Sequence, residues 1–310
     1  MMTVCLIVLL AGCGVDRNIK KGEKFLSLGE YYDAANQFKT AYQRTPPKDR
    51  KQRGEMANKM AQAYERISSS QRAAAAYRNV IRYKQDNGDT HRQLAACLMK
   101  EGDYTEAVKE YQIALDSMPD NQTIAAELEA AKTASAAKER GSKYIVSRMD
   151  VFNSRRQDYS PMLYGDQFNQ LYFTSTRNEA QGDAISGITG VKAGDIFVSE
   201  KDDKGKWGTP QDIVSGLNTK DDEGTPAFSV DGREMYITQC KTDPNYPRYA
   251  QIAVSNRADA SWGAAKKLEI SRDSLSNFAH PALSPDGNWL YFTSDMPGGK
   301  GGLDIWRVRL

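Results

Sequence analysis

Imidazole and thiol chemistry is sparsely provided for in this 310-residue chain, which holds two histidines and four cysteines. His91 and His280 stand far apart, as do Cys97 and Cys240. A metal centre or a Cys–His pair needs such side chains at short, repeated spacings. No HExxH, GxSxG or paired-cysteine pattern occurs. The two histidines are read as structural or solvated. Cys97 and Cys240 are read as small buried apolar groups. The glycine run Gly298-Gly299-Lys300-Gly301-Gly302 lacks the spacing and the following helix of a phosphate loop, so it reads as a hairpin loop. Asp231 and Asp286 sit in Asp-Gly turns and are turn residues first. No catalytic constellation and no metal or cofactor site is expected.

Cys13 is the residue with a chemistry of its own. An apolar run, Val4-Cys5-Leu6-Ile7-Val8-Leu9-Leu10-Ala11, leads into Gly12 and Cys13. The run is too short to span a bilayer and suits a signal-peptide core. Leu10-Ala11-Gly12-Cys13 resembles the lipobox of bacterial lipoproteins. That resemblance implies cleavage before Cys13 and acylation of the new amino terminus, and several acyl chains give stable anchoring. No Lys or Arg precedes the run, so the start at Met1 is read as late. No acidic cluster follows Cys13, which favours the periplasmic face of the outer membrane over outer-surface display.

The elements after this address repeat. Ala34-x3-Phe38, Ala73-x3-Tyr77 and Ala107-x3-Tyr111 are spaced by 39 and 34 residues. Pro46 and Pro119 stand twelve residues past the first and third alanines, and Gly29-Glu30-Tyr31 matches Gly102-Asp103-Tyr104. The period and residue types resemble the tetratricopeptide repeat. Small alanines allow close helix approach, and the aromatics fill the gap to the next hairpin. A further helix is expected over 121–140, with Asp120 as its cap and Ile124 and Leu128 toward the last hairpin. It reads as a capping helix or as a solvated linker. Terminal repeats need a polar outer cover, which favours the cap. The resemblance implies a partner-binding groove lined by the first helix of each hairpin. By register that face carries Asn58, Gln62, Glu65, Arg92 and Met99, types that equally suit solvated helix positions.

From about Lys143 the composition turns to aromatics, Thr, Gly and Asp. Leu171-Tyr172-Phe173-Thr174-Ser175 matches Met235-Tyr236-Ile237-Thr238 and Leu290-Tyr291-Phe292-Thr293-Ser294. These are strand-type runs. Pro161, Pro226 and Pro281 precede them at intervals of 65 and 55 residues. Asp195-Ile196-Phe197, Gln251-Ile252-Ala253 and Asp304-Ile305-Trp306 begin later strands, and Trp207-Gly208 and Trp262-Gly263 follow the first two. Four strands at this period indicate β-propeller blades. Two blades and most of a third are expected. A propeller closes with about four to eight blades, so a longer protein is expected to continue past Leu310.

The fold class expected is therefore α + β multidomain: an N-terminal tetratricopeptide α-solenoid followed by an incomplete β-propeller. Residues 1–13 read as signal peptide, 14–119 as three repeats, 120–142 as the capping or linker helix and 143–310 as blades. Net charge is +2, from 42 basic and 40 acidic residues, which gives no case for nucleic acid.

The order of lipobox, helical repeats and a strand pattern like the WD-like, TolB-type propeller resembles Bacteroidetes lipoproteins of the OmpA family. Within that family the pattern resembles PorE-like components of the type IX secretion system. The stretches Asp150–Pro161 and Ile185–Gly190 carry that likeness beside the repeats. The resemblance implies a non-catalytic scaffold on the periplasmic face of the outer membrane, with secretion components of the periplasm and outer membrane as partners. Peptidoglycan would be bound only through an OmpA-like domain beyond Leu310. The competing reading is a propeller-bearing peptidase or envelope sensor whose working domain lies past residue 310.

Overall fold

The computed structural model describes residues 3–182, 184–213, 216–241, 249–259, 261–273 and 275–310. The chain divides into a helical unit, residues 1–146 with 186–190, and a β unit made of the remainder.

Seven helices build the first unit: α1 (Thr3–Leu28), α2 (Tyr31–Arg44), α3 (Arg50–Arg66), α4 (Ser70–Arg82), α5 (Gly88–Glu101), α6 (Tyr104–Ser117) and α7 (Gln122–Arg140). Each packs on its neighbour in sequence. Alanines make this possible. Ala34, Ala35 and Ala41 of α2, Ala73, Ala74 and Ala76 of α4, and Ala107 and Ala114 of α6 are buried. Phe38, Tyr77 and Tyr111 are buried beside them. Each such large side chain contributes roughly 1.5–3 kcal/mol by leaving water. No hairpin could bury its apolar face alone, and stacking makes one continuous core from Val15 to Ala131.

Turns and caps follow from local chemistry. Gly29 and Gly102 take positive φ, 71° and 74°, at the ends of α1 and α5. Ser68 holds the corresponding place after α3 with φ of 54°, a conformation that costs a side-chain-bearing residue free energy. Asn87 and Thr90 form a reciprocal capping box on α5. The cap of α7 is Asn121, whose side chain accepts from the amides of Thr123 and Ile124, and not Asp120 as the sequence suggested. The amide of Asn121 bonds the Met118 carbonyl at 3.0 Å, so Asp120 is used up in the turn. Ile124, Leu128 and Ala131 of α7 lie in the helical core. Glu30 makes no side-chain cap on α2. Instead the carbonyls of Ile188 and Gly187, which belong to this unit, accept from the amides of Tyr32 and Asp33, both at 3.0 Å.

The β unit is three antiparallel sheets in succession. The first is β1 (Asp158–Tyr164), β2 (Gln170–Ser175), β3 (Asp195–Glu200) and β4 (Gln211–Asp212), in that order. The second is β5 (Asp222–Phe228), β6 (Glu234–Lys241), β7 (Tyr249–Ala258) and β8 (Ser261–Trp262), with β9 (Lys266–Lys267) also paired to β7. The third is β10 (Phe278–Leu283), β11 (Trp289–Ser294) and β12 (Asp304–Arg309). Four strands were expected in each of the first two sheets; the last strand of the first lies at Gln211, beyond Trp207, which forms an isolated β-bridge with Lys201. A short last strand is enough once the inner strands have buried the apolar faces.

The first strand of every sheet carries the same bulge. Register shifts between Tyr159 and Met162, between Gly224 and Ala227, and between Ala279 and Ala282. At those places Ser160, Thr225 and His280 adopt φ of 53°, 51° and 57°, each directly before a proline. Positive φ is uncommon for a residue that carries a side chain, and its return at the same place in all three sheets makes the bulge part of the repeat. Strand β5 packs against β1, β2 and β3, and β10 packs against β5, β6 and β7. Tyr172, Ile196, Met235, Ile237 and Trp262 form one buried layer. Tyr236, Ile252, Phe278, Leu290 and Phe292 form the next.

Candidate functional site

Helix α3 brings Asn58, Gln62 and Glu65 onto one side, and α5 carries Arg92 and Met99. Gln62 is exposed and Asn58 half-buried. Glu65 is engaged inside the fold: it accepts from the Tyr77 hydroxyl at 2.6 Å and lies 3.9 Å from the Cys97 thiol. Burial, then the Glu65 bond, pushes the Tyr77 hydroxyl far above its ordinary value. Burial also pushes the Cys97 thiol up to about 12, with the Glu65 charge adding to it, so the thiol is inert as a nucleophile. Arg92 makes a two-pronged bond to Glu127 of α7, 2.7 Å at each nitrogen. Met99 packs against the helical core. Of the five expected groove residues, Glu65, Arg92 and Met99 therefore hold neighbouring helices together, while Asn58 is half-buried and Gln62 stays open to solvent.

A concavity of about 340 Å³ opens among α2, α3 and α4, lined by Tyr32, Lys39, Tyr42, Met60, Tyr64 and Arg72. The sequence reading did not single it out, because its residues come from both helices of a hairpin and from the next.

Asp231 and Asp286 occupy matching turns. Asp231 accepts from the Ser229 hydroxyl at 2.6 Å and the Arg233 amide at 3.0 Å. Asp286 accepts from the Ser284 hydroxyl at 2.5 Å and the Asn288 amide at 3.1 Å. The Ser284 bond, with Asn288, holds the Asp286 carboxyl down at about 2. Gly232 and Gly287 follow with φ of 68° and 72°. Both carboxylates thus serve their own turns first.

His91 bridges Glu110 at 2.6 Å and Asp86 at 3.2 Å, joining α5 to α6. His280 gives its backbone amide to Thr238 Oγ1 at 2.8 Å. Among the described residues no group of three or more His, Cys, Asp or Glu is placed to hold a metal ion.

Cys13 lies in the backbone of α1, which runs through it unbroken; its side chain is outside what is described. Among the described residues no helix is long and apolar enough to cross a membrane. Beyond Cys13, α1 shows exposed Arg17, Lys20, Lys21 and Lys24, a basic row missed in the sequence. Their spacing of three, four and seven is the signal that could have found them.

Residues 58–121 match the family model described as tetratricopeptide repeat. The chain carries tetratricopeptide repeats. The match lies on α3 to α6, the helices that carry the repeated alanine and aromatic positions of the second and third hairpins. Among solved structures, the first such domain of Spaghetti (RPAP3) bound to the HSP90 peptide SRMEEVD is 19% identical, covering 40% of this chain and 94% of that one, at a TM-score of 0.35. The Sgt2 domain from Aspergillus fumigatus is 17% identical over 44% of this chain and 88% of that one, at 0.35. The MamA protein is 17% identical over 41% and 66%, at 0.35. No curated protein matches the chain.

Proposed function

We propose that this protein is a lipid-anchored, non-catalytic scaffold on the periplasmic face of the outer membrane, and that its partners belong to a type IX-like secretion apparatus. The observation that carries the reading is the order along the chain: the lipobox-like Leu10-Ala11-Gly12-Cys13, then a helical array with a tetratricopeptide match over 58–121, then three repeated sheets. Acylation at Cys13 fixes the amino-terminal end to a leaflet. The helical array supplies one binding surface.

The three sheets are read as blades of a β-propeller. Three features support this: the bulge before Pro161, Pro226 and Pro281, the packing of β5 and of β10 on the sheet before it, and the matched turns at Asp231 and Asp286. In a propeller the turns of successive blades gather on one face, where Asp231 and Asp286 would shape a rigid platform. Further blades complete the ring in this reading, and an OmpA-like domain beyond Leu310 holds peptidoglycan.

Gene deletion with crosslinking capture from the envelope tests it. Export of secreted proteins should fail on deletion, and capture should return secretion components with peptidoglycan. Normal export together with capture of neither overturns the tether.

A further inference from the structure

The amino-terminal helix divides its two sides by charge. Val15, Asn18 and Gly22 are buried, and Ile19, Phe25 and Leu26 pack toward the helical core. At about 100° per residue these positions share one side of α1. Arg17, Lys20, Lys21 and Lys24 are exposed and fall on the opposite side. Of the two acidic residues in this stretch, Glu23 is paired with Lys59 at 2.8 Å, which leaves Asp16. None of the four cations makes an ion pair among the described residues. Cys13 stands four residues before Arg17, one helical turn, so its register position falls on the basic side. Lys24 is then about 16 Å further along the helix axis, well within the span of a membrane-lying helix.

We propose that this basic row is a docking surface for anionic phospholipid headgroups, and that it lays α1 along the leaflet that carries the acyl chains. The proposal rests on the lipid-anchor reading for its geometry. Acyl chains at Cys13 would leave the helix free to swing. A row of cations over two turns on the same side holds it flat, because each Lys or Arg near an anionic surface is attracted and the attraction fades within a Debye length of roughly 10 Å. The apolar side stays committed to α2, so the contact is electrostatic and not an insertion. The surface chosen is lipid because the row is continuous with the site of acylation.

Flotation of the full chain carrying Cys13→Ser tests this without any acyl chain. The vesicles are phosphatidylcholine alone or phosphatidylcholine with phosphatidylglycerol. The anionic vesicles should retain more protein, and added salt should abolish the difference. Replacing Lys20, Lys21 and Lys24 together by Gln should lower partition by about fivefold per cation removed. Its helical circular dichroism and melt should match the parent, since all three are exposed; the single variant Lys24→Gln gives the same reading on a smaller scale. Equal retention on both lipids, or unchanged partition in both variants, overturns the proposal. So does capture on polyglutamate beads as strong as on anionic vesicles, which would point to an acidic protein. Palmitate labelling of the unmodified chain tests the anchor separately: a labelled chain with no anionic preference overturns only this proposal, and an unlabelled chain that keeps the preference overturns only the anchor.

Discussion

The backbone amide of Thr225 donates to the side-chain oxygen of Thr174 at 2.9 Å, tying the bulge of β5 to the strand β2 of the preceding sheet. The same device recurs one sheet later, where the His280 amide donates to Thr238 Oγ1 at 2.8 Å. A bulge frees an amide from its own ladder. Here the freed amide is spent on the neighbouring sheet, which sets the spacing between sheets. Thr293, the third residue of this series, bonds the Ala279 carbonyl of its own sheet at 3.2 Å. Thr174→Val and Thr238→Val should each destabilise the β unit by about 1–3 kcal/mol, because an amide loses its acceptor. Thr293→Val should cost less. Urea titration of the three variants measures this; equal losses at all three positions would contradict the inter-sheet role.

Arg177 and Asp158 form an ion pair at 2.8 Å with 10% and 8% of their side chains exposed. Arg177 also donates to the Phe152 carbonyl at 2.7 Å and lies over Phe173 and Phe197. Burial pushes the Asp158 carboxyl up, but bonds from Ser175, Ser154 and Arg177 outweigh it and hold the carboxyl below the usual range. Arg177→Met should cost about 3–5 kcal/mol, since it leaves a buried carboxylate without its partner. Adding Asp158→Asn should recover part of that loss. Thermal melts of single and double variants decide it: a double variant no better than the single one contradicts the account.

Ser68→Gly should stabilise the helical unit by about 0.5–1 kcal/mol. Ser68 is exposed and sits at φ of 54°, where Gly29 and Gly102 stand in the neighbouring hairpins. A lowered denaturation midpoint would mean that the hydroxyl has a use the geometry does not reveal.

Asp195 is fully buried at the start of β3, and its carboxyl is pushed up to about 7, by burial first and by the charges of Glu223 and Asp212 next, against the bond from the Gln181 amide. Its Oδ1 meets no hydrogen-bond donor among the described residues. Between the ordinary carboxyl value near 4 and about 7 the unfolded chain has lost this proton and the folded chain keeps it. Stability therefore falls as pH rises through that window, by up to about 1.4 kcal/mol per pH unit. Asp195→Asn should flatten the melting temperature across that range, and an unchanged slope would show that another group carries it.

Much of this architecture is legible from residue spacing. Ala34, Ala73 and Ala107 with Phe38, Tyr77 and Tyr111 mark close helix contacts because only small residues fit there, and all six are buried. The turns at Asp231 and Asp286 are legible because Asp-Gly has few alternatives. Other features are hidden. Ser68 takes a glycine's conformation without a glycine's signature. Glu65 and Arg92 read as surface residues because their partners, Tyr77 and Glu127, lie 12 and 35 residues away. The basic row on α1 escaped because its four cations follow a stretch read only for its apolar run and its cysteine. The threonine device was invisible for the opposite reason: Thr174 looks like any strand threonine until Thr225 is placed beside it.

Metabolic labelling with palmitate, followed by high-salt washing and fractionation of membranes, tests the anchored-scaffold account most directly. The unmodified chain should incorporate label and stay with the membrane through the wash. Cys13→Ala should incorporate none and should run as the larger, unprocessed chain, because cleavage before Cys13 is lost with the cysteine. Absence of label from the unmodified chain, or equal label and retention in Cys13→Ala, would contradict the account.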